Sequence, residues 1–182
     1  EDAIVALLPQ KGWSPEIIEY PDEQDLIENW KKILFKNNQQ MTALNKCPLT
    51  DGEMGQILSK IRELNSPLAL NGFINGHQVS IVRDNKDDKV NYGKTVYLKI
   101  YERDEIAGGD SCYQIVRQPR FNVPKSIFPE RRGDLMLLIN GMPVFHIELK
   151  KSGVPVSEAC NQIAKYSHER LFTGIFSLIQ IF

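Results

Sequence analysis

The 182-residue sequence is poor in the features that mark membrane, secreted and zinc-binding proteins. It has no run of 18 apolar residues, so we expect no transmembrane helix. The opening stretch EDAIVALLPQKGW begins with acids and has no basic segment, so we expect no signal peptide. The three cysteines are odd in number and share no CxxC spacing, which favours free thiols in a reducing, cytoplasmic compartment and argues against a zinc site.

Histidine and net charge are also scarce. With three scattered histidines, any metal here is expected to be a hard ion held by carboxylates. The net charge of −1 indicates no particular partner. Residues 114–182 hold nine Lys/Arg against five Asp/Glu, whereas residues 1–113 hold thirteen against eighteen. The C-terminal part is therefore mildly basic, as expected either for a surface that faces a polyanion or for an uneven solvated surface.

The first third of the chain has helical patterning. EDAIVALLPQKGW predicts a short helix closed by Pro9. PDEQDLIENWKKILFKNNQQ predicts an amphipathic helix, because its apolar residues would form one stripe along a helix. These residues are Leu26, Ile27, Trp30, Ile33 and Leu34. In PLTDGEMGQILSKIREL, Thr50 and Glu53 have the spacing of a capping box and predict a third helix.

Strand patterning follows. GFINGHQVSIVRD, KTVYLKIYE and SCYQIVRQPRF predict strands, and RDNKDDKVNYGK predicts a polar, mobile loop. VSEACNQIAKYSHERLF predicts a helix with Ser157 as its N-cap, and GIFSLIQIF predicts a buried strand. The order of elements predicts an α/β protein of the α+β kind, in which helices flank a mixed β-sheet.

The segment GDLMLLINGMPVFHIELKK carries charges at the ends of two apolar strands. Asp134 begins the first strand, and Glu148 and Lys150 share one face at the end of the second. Two carboxylates suit Mg²⁺, which could polarise a phosphodiester, while the lysine could stabilise developing negative charge. The alternative is a pair of solvated strand ends, where acids and lysines are common.

The hairpin register tests this hypothesis. With a two-residue turn at Asn140–Gly141, Asp134 faces Ile147 and points away from Glu148. A joint site therefore predicts a longer loop, a β-bulge or an Asp134 that lies outside the regular ladder.

The next helix offers two more polar groups. Gln162 and Tyr166 lie at i and i+4 on one helix face and could hydrogen-bond a phosphate or a catalytic side chain. A solvated polar pair is the alternative.

Taken together, RRGDLMLLINGMPVFHIELKKS and ACNQIAKY resemble the N-terminal nuclease domain of the R subunit of type I restriction-modification enzymes (HsdR), in the PD-(D/E)XK nuclease superfamily. The shared features are the acid before the first strand, the NG-x-P turn, the ELK strand and the Q-x₃-Y helix. EDAIVALLPQKGW and LTDGEMGQIL also resemble helices of that domain. The resemblance implies a restriction-endonuclease-like fold and a single nuclease domain over residues 1–182, at the N-terminus of a longer, motor-containing subunit.

The resemblance also implies a role for each matching residue. Asp134 and Glu148 would bind Mg²⁺, Lys150 would be the catalytic lysine, and Gln162 and Tyr166 would support cleavage or DNA binding. Glu1 would match the acid of the opening helix. Gly133 stands where the name of the superfamily has proline.

The implied function is Mg²⁺-dependent hydrolysis of DNA phosphodiester bonds within an ATP-driven complex. Double-stranded DNA and the methyltransferase and specificity subunits would be the partners, with no membrane involved. The sequence has no GxxxxGK[ST] loop, so ATP would act only through motor domains elsewhere in the subunit. The alternatives are a RecB-like or resolvase-like nuclease of the same superfamily, or a non-catalytic module that clamps DNA.

Overall fold

The computed structural model describes residues 1–64, 66–76, 78–100, 111–122 and 131–182. The chain divides into two compact units, one formed by residues 1–26 and 112–182 and the other by residues 27–111. The described residues contain five α-helices and a mixed four-stranded sheet, which confirms the predicted α+β class. None of the helices in the described ranges could span a membrane.

The first unit is built on the mixed sheet. Its helices are α1 (Asp2–Leu7) and α5 (Val156–His168), and its strands are β1 (Ile17–Glu19), β4 (Tyr113–Arg117), β5 (Arg120–Phe121), β6 (Arg131–Arg132), β7 (Leu135–Ile139) and β8 (Met142–Ile147). The four-stranded sheet has the order β1-β4-β7-β8. Strand β1 runs parallel to β4, and the other two pairings are antiparallel.

Both faces of this sheet are covered. On one face, Val5 of α1 packs with Ile115, Leu135 and Leu137 of the strands. The intervening residues Met136 and Leu138 are also fully buried. A strand that is buried on both faces is apolar at consecutive positions, which explains the LMLL run of β7.

The β7–β8 hairpin combines a tight turn with a β-bulge. Asn140 and Gly141 both have positive φ, at 51° and 83°, as a type I′ turn requires. The pairing starts in the register of a two-residue turn, with Leu138 opposite Pro143. It then shifts by one residue, so that Leu137 lies opposite Phe145. Of the three irregularities that a joint site predicts, the structure has the β-bulge, and Asp134 also lies one residue beyond the last ladder pair.

The second unit contains most of α2 (Glu23–Asn38), together with α3 (Asp51–Glu63), α4 (Pro67–Asn75), β2 (Gln78–Val82) and β3 (Thr95–Lys99). The two strands form an antiparallel pair. The predicted capping box of α3 is confirmed, because the Thr50 hydroxyl accepts from Glu53 N and the Glu53 carboxylate accepts from Thr50 N. Trp30 and Leu34 on the predicted apolar stripe of α2 are buried.

A buried ion-pair network joins the segment after β2 to α3. The Arg83 guanidinium contacts Glu53 at 2.6 Å and Asp88 at 3.1 Å, and all three side chains are excluded from solvent. Arg83 also donates to Cys47 O at 3.1 Å. The segment RDNKDDKVNYGK, predicted to be a mobile loop, is therefore anchored at both Arg83 and Asp88.

Three predictions of local structure were wrong. The start of GFINGHQVSIVRD belongs to α4, whose N-terminus is capped by Ser66, and only the part from Gln78 is a strand. GIFSLIQIF is a 3₁₀ helix over Gly174–Leu178, followed by a single bridge to β8 at Ile181. Ser157 is not the N-cap of α5, because Pro155 occupies that position. His77 and residues 101–102 of the predicted strands lie outside the described residues.

Candidate active site

The bulged hairpin brings Asp134 and Glu148 to the end of β7 and β8 that lies away from the turn. The last pair of the ladder is Leu135 with Ile147, and the next residues along this register are Asp134 and Glu148. The Leu149 amide donates to Asp134 Oδ2 at 2.6 Å, which ties the two chain segments together beyond the ladder. The two predicted carboxylates are therefore neighbours.

Asp134 is placed among other acids. Burial raises the pKa of its carboxyl above the ordinary value, the hydrogen bond from the Leu149 amide lowers it, and the negative charges of Glu148 and Glu1 raise it further. The net result is a raised pKa. The charge of Lys150 lowers this pKa, but burial, the largest cause, and the two neighbouring acids outweigh it.

Glu148 is held from both sides. Its Oε1 accepts from Gln162 Nε2 and lies 3.7 Å from Lys150 Nζ. Its Oε2 lies 3.3 Å from His146 Nε2. The side chain of Glu148 is 2% exposed, so these contacts replace the water that a carboxylate normally binds.

Helix α5 connects the strand end to a chain of hydrogen bonds. The Gln162 Oε1 atom accepts from Lys150 Nζ, and the Gln162 amide also donates to the Tyr166 hydroxyl at 2.6 Å. Tyr166 in turn donates to Arg132 O at 2.9 Å. Burial raises the pKa of Tyr166, and the charges of Glu148 and Asp134 add to the rise, so its hydroxyl stays protonated and able to donate. The structure therefore joins Lys150, Gln162 and Tyr166 to Glu148.

Glu1 lies at the start of α1 and is bound by the end of β4. Arg117 Nε donates to Glu1 Oε2 at 3.0 Å, and Gln118 Nε2 donates to the same oxygen at 3.2 Å. Burial would raise the pKa of Glu1, but these two hydrogen bonds outweigh it and the pKa is lowered. Gln118 has a φ of 49°, and its backbone N–H donates to Asp134 O at 2.8 Å. Gln118 thus links Glu1 to the backbone of Asp134.

Sequence reasoning missed Gln118 and Arg117. They are 117 and 116 residues from their partner Glu1, so no local spacing connects them. His146 shares strand parity with Glu148, but parity alone does not predict that the two side chains touch. The Cys160 side chain is exposed, and no disulfide joins the three cysteines, in agreement with the predicted thiols.

The side chains of Asp134, Glu148, Lys150 and Gln162 form a cluster, and its two carboxylates are the kind of ligand that a hard cation prefers. Asp134 and Glu148 supply carboxylate oxygens, the ligand type that Mg²⁺ prefers, and Mg²⁺ commonly needs only one or two protein carboxylates. Among the residues that the structure describes, no group of three or more His, Cys, Asp and Glu side chains is arranged to hold a metal ion. The suitability of this site for Mg²⁺ therefore depends on the carboxylates of Asp134 and Glu148.

The fold and the cluster together define an α+β protein with two carboxylates, a lysine and a glutamine gathered at the end of a bulged β-hairpin. The chain belongs to the family described as Type I restriction enzyme R protein N terminus, whose sequence model matches residues 1–182. The resemblance seen in the motifs is thereby confirmed.

Curated relatives agree with this family. The chain is 32% identical over its full length to the Type I restriction enzyme SsaAORF53P endonuclease subunit of Staphylococcus saprophyticus, and 29% identical to the SauMSSORF170P endonuclease subunit of Staphylococcus aureus. It covers 17% of each of these proteins. A 53-residue stretch, 28% of the chain, is 45% identical to 17% of the EcoprrI endonuclease subunit of Escherichia coli. The chain thus spans about a sixth of the length of the curated relatives it matches.

Proposed function

We propose that this chain is the Mg²⁺-dependent endonuclease domain of a type I restriction enzyme R subunit, with the PD-(D/E)XK fold. It hydrolyses phosphodiester bonds of double-stranded DNA within an ATP-driven complex that includes methyltransferase and specificity subunits. The printed names of the relatives, which are endonuclease subunits of type I restriction enzymes, support this function.

One observation carries the proposal. Asp134 and Glu148 are neighbours only because the register of β8 shifts by one residue after Pro143. A regular ladder from the same turn would put Ile147 opposite Asp134. The irregularity therefore brings together two acids that, with Lys150, match the residues to which the resemblance assigns metal binding and catalysis.

Each residue of the cluster has its own role in the proposed reaction. Asp134 and Glu148 would hold Mg²⁺, which when bound polarises the phosphodiester and lowers the pKa of a bound water. The Lys150 ammonium stabilises the charge that develops on the phosphoryl oxygens. Gln162 fixes Lys150 relative to Glu148 by accepting from one and donating to the other. Tyr166 holds Gln162 through the bond to its amide.

The test is DNA cleavage by the full-length subunit assembled with its partner subunits. Supercoiled plasmid, ATP and Mg²⁺ are supplied, and nicked and linear products are measured over time. Asp134→Ala and Lys150→Ala are each expected to lower the cleavage rate by about 10²-fold or more, because each removes a group that acts at the reacting phosphate.

Matched controls remove the same residue types elsewhere. Asp87→Ala and Lys32→Ala change exposed side chains of the second unit and should leave the cleavage rate within about 2-fold of wild type. Cleavage at the wild-type rate by both Asp134→Ala and Lys150→Ala would contradict the proposal.

A further inference from the structure

His146 is a buried histidine that directly contacts Glu148. Its relative exposure is 1%, and its Nε2 atom lies 3.3 Å from Glu148 Oε2. A carboxylate oxygen is a hydrogen-bond acceptor, so this contact requires that the imidazole present an N–H at Nε2. The other oxygen of the same carboxylate is occupied by Gln162. His146 and Gln162 therefore hold the Glu148 carboxylate from opposite oxygens.

The surroundings of the ring do not otherwise favour histidine. Four aromatic rings lie with their centroids within 6.3 Å of the His146 ring, namely those of Phe121, Tyr166, Phe172 and Phe182. Its Nδ1 atom is buried and has no hydrogen-bond partner among the described residues. A buried nitrogen without a partner costs free energy that phenylalanine at this position would avoid. Within the described part of the chain, the contact with Glu148 is the one polar interaction of the imidazole.

The backbone before Asp134 makes room for this ring. A Cβ atom added to Gly133 would lie 2.5 Å from His146 Cε1 and 3.2 Å from Nδ1. The first distance is far shorter than a van der Waals contact, and the ring is packed on its other sides. A side chain at position 133 would therefore displace the His146 ring from its present position against Glu148. Gly133 stands where the superfamily's name has proline, and a proline would carry that Cβ.

We propose that His146 is a positioning residue that fixes the Glu148 carboxylate in the site, and that Gly133 is required for the imidazole to fit. The inference rests on the proposed nuclease function, because Glu148 is a metal ligand only in that function. Groups that orient a ligand from behind typically contribute 10- to 100-fold to metal affinity.

The test measures metal binding apart from catalysis. Mn²⁺ serves as the probe in the full-length protein without nucleotide, and the free-ion signal is followed by electron paramagnetic resonance. Asp134→Ala defines which part of the binding belongs to this site. His146→Leu is expected to weaken that part by about 10-fold or more. His146→Gln, which keeps an N–H at a similar reach, should bind within about 3-fold of wild type.

Two further variants separate positioning from packing. Phe121→Leu disturbs the same aromatic group without touching a carboxylate and should leave Mn²⁺ affinity within about 3-fold of wild type. Gly133→Ala should weaken binding about as much as His146→Leu, and the two changes combined should add little, because both act through the same contact.

Different results would overturn the proposed function and the role of His146. If Asp134→Ala leaves Mn²⁺ binding and DNA cleavage unchanged, the proposed function itself fails. If Asp134→Ala abolishes the Mn²⁺ signal while His146→Leu binds as wild type does, only the role of His146 is overturned. Binding by Phe121→Leu or His146→Gln as weak as that of His146→Leu would likewise overturn it.

Discussion

Arg83 is the residue whose burial has the clearest energetic consequence. Its guanidinium is the countercharge for Glu53 and Asp88, and none of the three side chains reaches solvent. Arg83→Ala would leave two buried carboxylates without a cation. We expect a loss of about 3–5 kcal/mol in the free energy of unfolding, measured by urea denaturation of the 182-residue chain.

An exposed arginine provides the control for this change. Arg62 lies on the solvent side of α3, and Arg62→Ala should alter the free energy of unfolding by about 0.5 kcal/mol or less. A loss under about 1 kcal/mol for Arg83→Ala would mean that water or a rearranged backbone compensates the two acids.

At the scale of elements, the start of α3 allows a direct test of helix capping. Thr50 accepts from Glu53 N at 3.1 Å and also donates to Asp84. Thr50→Ala removes both bonds and should cost about 1–2 kcal/mol in the free energy of unfolding, measured by thermal or urea denaturation.

Ser59→Ala is the matched control within the same helix. The Ser59 hydroxyl donates to Gly55 O at 2.8 Å in the exposed helix interior. Alanine is the better helix former there, so stability should be unchanged or slightly higher. An equal loss from the two changes would contradict a specific role of the cap.

Helices α3 and α4 show which elements can be predicted from the sequence. α3 was predicted because its cap and its apolar period are both local. α4 carries a comparable local signal, Ser66 followed by Pro67, but Gly72 and the apolar Phe73–Ile74 pair made its second half resemble a strand. The C-terminal GIFSLIQIF is apolar because it is buried, and burial alone does not distinguish a strand from a 3₁₀ turn.

The site was predictable in pieces. Strand parity relates Glu148 to Lys150, and helix spacing relates Gln162 to Tyr166, so both pairs can be read locally. How Gln162 meets Lys150 depends on the packing of α5 on the sheet, which no spacing encodes. The sequence indicated that the hairpin must be irregular if it forms a site, but not which irregularity it uses.

For the whole molecule, charge limits how strongly the chain can bind DNA. The net charge is −1, and several basic side chains near the site are paired, as Arg117 is with Glu1 and Arg131 is with Glu169. We expect the 182-residue chain alone to bind duplex DNA with a Kd of about 10⁻⁴–10⁻⁶ M. The slope of log K against log salt should be shallower than about −4, measured by fluorescence anisotropy between about 50 and 200 mM salt.

Under the proposed function, such weak binding would suit a domain to which the rest of the restriction complex delivers DNA. A Kd below about 10⁻⁷ M with a slope near −8 would instead indicate a strong polyanion surface on this chain. A scrambled duplex should bind as well as any other, because contacts to phosphates carry no sequence information.

The single extra residue in β8 has a consequence for comparing relatives. Along the chain, 13 residues separate Asp134 from Glu148. This interval places the two acids opposite each other only because Val144 has no partner in the ladder. A relative with the same Asn-Gly turn and an interval of 12 would align its two acids with no irregularity at all. Deleting Val144 from this chain should therefore preserve the pairing of Asp134 with Glu148. An interval of 13 residues with a bulge and an interval of 12 residues without one therefore place the two acids in the same way. A motif search that fixes the interval would miss relatives that have the same site with the other interval.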